Sequence, residues 1–213
     1  MAVSPRPPLR LVPRQGDSHP ADDALADALV AGEPWAATAM WNKYSPMVYR
    51  FLQRSLGLAA DVEDLTQDVF FGVYSNVGSL RDRDALRSFI LSVAIRKLRS
   101  ELRVRRLHNI FQLTRFDQLP DQPVPALDAE SRQALRRFYA ILDRMNAQER
   151  CAFVLRHMEG LKIEEVAAAL GVSMATVKRR LQRATVFVSR QVDRDPALAP
   201  YANRFEGGRD GSS

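Results

Sequence analysis

The chain has 213 residues, a formal net charge of +6 and a hydrophobic fraction of 46%. Its single cysteine, Cys151, excludes an intrachain disulfide, and together with three scattered histidines it offers no metal-ligand spacing. No apolar run approaches the roughly 20 residues that span a membrane. The N-terminus has no apolar core followed by a cleavage site, so we expect a cytoplasmic protein without a secretory signal.

The N-terminal half is predicted to be helical after a disordered tail. Residues 1–20 contain five prolines and few apolar side chains, a composition typical of disorder. Apolar side chains then recur at helical spacing and predict four helices. These helices cover residues 22–31, 35–56, 61–77 and 85–106. Pro46 marks a position where the second helix could bend, and residues 78–84 form a polar loop.

The C-terminal half resumes the helical pattern after a break. Residues 114–128 contain three prolines and three aspartates and are predicted to be a flexible linker. Helices follow over 129–145 and 147–159, with Asn146 and Glu149 spaced as in a capping box. Residues 193–213 form a tail. No segment alternates like a strand, so we predict an all-α fold of two small helical domains, residues 21–113 and 129–192.

Residues 162–184 have the pattern of a helix-turn-helix. Gly171 suits the left-handed turn between two helices, and Ser173 can cap the second one. The second helix has one apolar stripe, formed by Val177, Leu181, Ala184 and Val188. Its other side carries Thr176, Lys178, Arg179, Arg180 and Arg183. Such a basic helix can enter the major groove of DNA, although an ordinary helical hairpin with a solvated basic face is the simpler alternative.

Charge is separated along the N-terminal half. Residues 61–68 hold four acids and no base, whereas residues 81–106 hold nine basic residues against three acids. This separation indicates two different partners. Acids near the start of a helix are also favoured by the helix dipole, which accounts for Asp61 and Glu63 without any partner.

Three segments resemble the extracytoplasmic-function group of bacterial RNA polymerase sigma factors. DVEDLTQDVFFGVY (61–74) is similar to the polymerase-binding helix of region two, and SFILSVAIRKLRSELRVRR (88–106) to its promoter-melting helix. RHMEGLKIEEVAAALGVSMATVKRRLQRA (156–184) is similar to the helix-turn-helix of region four. The resemblance covers about 33–106 and 130–190. Phe89, Arg96 and Ser100 stand where the family usually has Trp, Asn and Asp. Phe89 keeps an aromatic core residue, whereas Arg96 and Ser100 lie on or near the DNA-facing helix, so promoter preference is expected to differ.

The resemblance implies specific roles for residues of both halves. The expected partners are core RNA polymerase and promoter DNA, with an anti-sigma protein as a candidate regulator and no cofactor, metal or catalytic residue. The polymerase-binding residues would be Asp64, Gln67, Asp68 and, as an apolar anchor, Phe70. Region two would open the minus-ten element with Arg96, Lys97, Arg99 and Arg103, and loop residues Ser79, Arg81 and Asp82 could line a base pocket. Region four would read the minus-thirty-five element with Thr176, Lys178, Arg179, Arg180 and Arg183.

Two alternatives to a sigma factor follow from the same residues. A stand-alone helix-turn-helix regulator would use its N-terminal half to dimerise, and that use requires a self-complementary apolar face rather than clustered acids at 61–74. An enzyme with a DNA-binding tail would need a nucleophile or metal site, which the motifs do not supply. The acidic helix therefore favours a monomeric sigma factor.

Overall fold

The computed structural model describes residues 21–57, 60–111, 128–198 and 200. Within these ranges the regular structure is helical and includes no strand, which confirms the predicted all-α class. The predicted N-terminal tail, the predicted linker apart from Asp128, and most of the C-terminal tail lie outside the described residues. Over the same ranges, no helix has both the length and the apolar character needed to cross a membrane.

The described ranges contain eight α-helices. They are α1 (Asp22–Ala31), α2 (Pro34–Leu56), α3 (Glu63–Asn76), α4 (Leu86–Phe111), α5 (Ala129–Asp143), α6 (Ala147–Phe153), α7 (Ile163–Leu170) and α8 (Met174–Val192). Two short 3₁₀ turns, Val77–Ser79 and Arg83–Ala85, connect α3 to α4. The helix α2 runs through Pro46 as one element.

Local sequence explains where several helices begin and end. Gly32 and Gly171 follow α1 and α7 at φ 74° and φ 63°, the left-handed conformation that glycine adopts without steric cost. Ser173 Oγ accepts a hydrogen bond from the Thr176 amide at 3.2 Å and so caps α8. The Asn146 side chain caps α6 as well, but it accepts from the Gln148 amide rather than from Glu149 as a capping box requires.

The predicted helix 147–159 is two elements. α6 ends at Phe153, and residues Val154–Met158 form a π-helical turn. The Glu159 amide closes this turn on the Val154 carbonyl at 2.9 Å. π-helical turns are rare and often lie at functional sites. Here the turn packs against α2.

The two halves of the chain share their main core. Leu25, Phe51, Val69 and Ile90 of α1–α4 belong to the same buried cluster as residues from α6 to α8. The C-terminal members of this cluster include Cys151, Leu155, Val166 and Val177. A second cluster joins Phe138 and Leu142 of α5 to Val188 and Val192 of α8. Cys151 is fully buried, as predicted for a small apolar side chain, and burial raises the pKa of its thiol to about 12.

Candidate nucleic-acid and protein interfaces

The second helix of the helix-turn-helix has the predicted two faces. Val177, Leu181, Ala184 and Val188 are all buried, and α8 packs against α5, α6 and α7. Lys178, Arg179 and Arg183 are exposed, and none of them forms an ion pair with another described residue. Thr176 is half-buried, and its hydroxyl lies 3.0 Å from the Ser173 hydroxyl. The exposed face is therefore a set of three unneutralised cations on one rigid helix.

Arg180 differs from its basic neighbours on α8. Its side chain is half-buried, and burial lowers the pKa of the guanidinium, with Arg99 of α4 and Arg179 lowering it further. Arg99 itself is exposed. The structure therefore places one predicted DNA-binding arginine from each half of the chain close together.

The basic residues of α4 differ in their surroundings. Arg96 and Arg103 are exposed, whereas Lys97 Nζ lies 3.1 Å from an oxygen of Asp68 on α3. Because Lys97 and Asp68 are both substantially exposed, this pair contributes little stability. It does bring a predicted DNA-binding residue into contact with a predicted polymerase-binding residue.

The loop between α3 and α4 is held by its own hydrogen bonds. The Ser79 hydroxyl donates to the Asn76 carbonyl at 2.7 Å, and Asp82 accepts from the Asp84 amide at 3.2 Å. Arg83 pairs with Asp27 of α1 at 2.6 Å. Arg81 is exposed. Among the described side chains of this loop, Arg81 is therefore placed to meet a ligand without first breaking one of these contacts.

Three polar residues of α3 share an exposed face. Asp64, Gln67 and Asp68 are all exposed, and the two aspartates border a shallow cavity of about 290 Å³. Glu101 and Arg105 of α4 line its far side and pair with each other at 2.8 Å. This cavity edge is rich in carboxylates and suits a cationic partner surface.

Phe70, predicted as the apolar anchor of this face, is instead a core residue. It is 6% exposed and its ring packs against the Trp41 ring in a tilted arrangement, with 4.9 Å between centroids and 60° between the ring planes. Phe71 is 74% exposed and Tyr74 51% exposed. Helical geometry alone identifies Phe71, because it stands seven residues after Asp64 and four after Gln67 and so lies on their face. Phe70 is one residue earlier and belongs with buried Thr66, Val69 and Val73.

Two family models match the chain. The model described as Sigma-70 region 2 matches residues 40–107, and the model described as Sigma-70, region 4 matches residues 135–186. The first range includes α3 and most of α4, and the second includes the helix-turn-helix.

Curated sigma factors are similar over most of their length. The ferric citrate uptake sigma factor FecI of Escherichia coli (strain K12) is 30% identical over 150 residues, which cover 68% of this chain and 84% of that protein. The ECF RNA polymerase sigma factor SigM of Mycobacterium tuberculosis (strain ATCC 25618 / H37Rv) is 27% identical over 187 residues, which cover 86% of this chain and 92% of that protein.

Two solved structures share the fold. CnrH, solved in complex with the cytosolic domain of CnrY, matches with a TM-score of 0.60 and 21% identity over 82% of this chain and 98% of that chain. The sigma factor RpoE of Bartonella quintana, solved with the anti-sigma factor NepR, matches with a TM-score of 0.56 and 22% identity over 74% of this chain and 97% of that chain.

Proposed function

Because the chain belongs to the extracytoplasmic-function group of RNA polymerase sigma factors, it directs core RNA polymerase to promoters, and we propose how its surfaces divide this task. The helix α3 binds the polymerase, α4 and the preceding loop open the minus-ten element, and α8 reads the minus-thirty-five element as duplex. The observation that supports the DNA-reading role is the row of exposed cations on α8, Lys178, Arg179 and Arg183. These residues lie within the range that the region 4 model matches.

The proposed polymerase-binding surface consists of Asp64, Gln67, Asp68 and Phe71. Three polar groups would give charge complementarity and register against a basic surface, and the exposed ring would supply the apolar anchor. Asp68→Arg should weaken binding to core polymerase, because it places a second cation beside Lys97 and reverses the charge offered to the partner. Asp23→Arg, an exposed acid on α1, is the matched control. Equal losses in the two variants would mean that only net charge matters.

The proposed minus-ten surface consists of Arg96, Arg99 and Arg103 with Arg81 of the loop. These side chains are exposed, so they can reach the phosphates and unstacked bases of a separated strand without leaving a folded contact. Lys97 would have to release Asp68 to join them. Permanganate footprinting of thymines on a promoter complex should show an open minus-ten region with the wild-type chain and a smaller signal with Arg96→Ala.

The proposed minus-thirty-five surface uses Arg179 and Arg183 for bases, with Lys178 and Arg180 nearer the phosphates. Arginine can bond guanine with two hydrogen bonds, and Thr176 can contact a thymine methyl group. Arg180 is half-buried, so it offers less of its side chain to DNA than the exposed Arg179 and Arg183 do.

The chain is expected to need the polymerase for chemistry. Phosphodiester synthesis belongs to the polymerase, so the purified chain is expected to turn over no nucleotide, and it is expected to act in the cytoplasm beside that enzyme.

CnrH and RpoE were solved with CnrY and the anti-sigma factor NepR, respectively. An anti-sigma protein is therefore proposed as a regulator of this chain, to be sought by capture with the tagged chain and mass spectrometry.

A further inference from the structure

Helix α1 precedes the range that the region 2 model matches, which begins at residue 40. It is nevertheless a fixed part of the N-terminal core. At its start, the Asp22 carboxylate lies 2.7 Å from Lys43 Nζ and accepts a hydrogen bond from the Tyr44 hydroxyl, both on α2. Its buried residues, which belong to the main core cluster, are Leu25, Ala26, Ala28 and Leu29. Helix α1 is therefore anchored on α2 and in the core.

The other partner of α1 is the loop between α3 and α4, residues 77–85. Helix α1 packs against both 3₁₀ turns of this loop. Val77 and Leu80 of the loop are buried in the same cluster as Leu25 and Leu29 of α1. The loop therefore buries its apolar side chains in the core that α1 helps to form, while its polar side chains remain outside.

Arg83 joins α1 to two parts of this loop. Its Nε lies 2.6 Å from Asp27 Oδ1 on α1, and its Nη1 donates to the Leu80 carbonyl at 2.5 Å. One half-buried guanidinium thus connects the helix, the end of the first 3₁₀ turn and the start of the second. These contacts hold the backbone on both sides of Arg81, the exposed residue proposed to meet the minus-ten strand.

The Asp27–Arg83 pair is too exposed to matter much for folding. The Asp27 side chain is 68% exposed and the Arg83 side chain 33% exposed. Pairs with this exposure contribute little to the free energy of unfolding. Such a contact can still bias which conformation of a loop is populated, because the states of a surface loop differ little in free energy. The pair can therefore control the position of the loop without controlling the stability of the domain.

We infer that Asp27 and Arg83 are positioning residues, through which α1 holds the loop between α3 and α4 in the conformation that receives an unstacked base of the minus-ten strand. This role rests on the proposed function for the identity of the ligand. Its physical basis is preorganisation, because a loop that is already ordered loses less conformational entropy when it binds. DNA phosphates repel a carboxylate, so Asp27 can favour DNA binding only through Arg83.

Hydrogen exchange of the free full chain, followed by NMR, tests the contact without polymerase or DNA. The Leu80 and Ala85 amides donate hydrogen bonds within the loop, so their exchange rates report its order. Asp27→Arg should speed their exchange about three- to fivefold, since an attractive exposed pair becomes a repulsive one. Asp23→Arg, at another exposed acid of α1, is the matched control and should leave both rates unchanged. Equal exchange in Asp27→Arg and the wild type would overturn the inference.

A double charge reversal separates positioning from a direct contact between Arg83 and DNA. Arg83→Asp alone should loosen the loop as Asp27→Arg does. The two changes together recreate the pair with opposite polarity and should recover part of the slow exchange, but not all of it, because aspartate cannot donate to the Leu80 carbonyl. If Arg83 bound a phosphate directly, Asp27→Asn would free it and strengthen promoter binding by the polymerase complex. That result, with no recovery in the double variant, would overturn the inference.

Base preference in transcription shows what the contact controls. The wild-type chain and Asp27→Arg are each assembled with core polymerase and given a template library with random bases at both promoter elements. Asp27→Arg should flatten the preference at the minus-ten element about three- to fivefold and leave the minus-thirty-five preference unchanged. General destabilisation would not produce this split.

The remaining outcomes are distinguishable. A loosened loop with an unchanged minus-ten preference would overturn the inference, and so would an equal loss of preference at both elements. A wild-type complex without preference at either element would instead contradict the proposed function, while the exchange rates and the double reversal would still decide whether α1 fixes the loop.

Discussion

Phe70 and Phe71 are adjacent in the sequence and should respond to truncation in opposite ways. Phe71 is 74% exposed and contacts little in the free chain, so Phe71→Ala should change the free energy of unfolding by less than about 0.5 kcal/mol. Phe70 is 6% exposed and packs on Trp41. Phe70→Ala should therefore cost about 3–5 kcal/mol of unfolding free energy.

The expected effect on polymerase binding follows from the exposed area of Phe71. With roughly 200 Å² for a phenylalanine side chain, about 150 Å² is open to solvent, and its burial at about 25 cal/mol per Å² would contribute at most about 4 kcal/mol. Interface aromatics commonly realise about half of such a limit, because binding also immobilises both surfaces. Phe71→Ala should therefore raise the Kd for core polymerase roughly 30-fold at about 2 kcal/mol.

Two measurements separate the stability of each variant from its affinity for core polymerase. Urea melts followed by circular dichroism give the free energy of unfolding, and fluorescence anisotropy of the labelled chain titrated with core polymerase gives the Kd. The reasoning fails if Phe71→Ala binds polymerase as tightly as the wild type. It also fails if Phe70→Ala is as stable as the wild type, because Phe70 would then not be a core residue.

Three further outcomes are expected. Arg179→Ala should lower initiation about tenfold or more at promoters that need the upstream duplex element and leave polymerase affinity unchanged, as measured by run-off transcription against Arg190→Ala as the control. Cys151 should resist alkylation until the chain unfolds. Because its folded-state pKa of about 12 exceeds the ordinary value of 9.0, the free energy of unfolding should fall as pH rises between these two values. The fall should be shallower in Cys151→Ala, which lacks the thiol. Limited proteolysis should cut first within 114–128, and cleavage inside 61–106 instead would mean that the domain boundary is misplaced.

Periodic apolar stripes were the most informative feature of the sequence. The stripe of α8 predicted four buried residues and an exposed basic face, and the structure agrees because side chains 3–4 residues apart on a helix share one face. The same geometry identifies Phe71 rather than Phe70 on the face of Asp64 and Gln67. Choosing Phe70 was an error of one residue, and one residue on a helix is a rotation of about 100°.

The sequence pattern could not predict which distant parts of the chain pack together. Arg54 and Glu159 are 105 residues apart, and nothing in their local surroundings indicates that a π-helical turn brings them together. The lowered pKa of Arg180 is partly long-range as well, because after burial the charge of Arg99 in the other half of the chain contributes to it. Periodicity reports which face of a helix is buried, but it does not report which helix covers that face.

Reconstituted transcription tests the central claim most directly. Core polymerase lacking any sigma factor is mixed with the purified chain and sheared genomic DNA of its host, and the 5′ ends of the transcripts are sequenced. The account predicts discrete start sites that require both the chain and the polymerase, share two upstream elements about 25 base pairs apart, and weaken with Asp68→Arg or Arg179→Ala. Start sites that do not depend on the chain, together with tight sequence-specific DNA binding by a homodimer without polymerase, would contradict it.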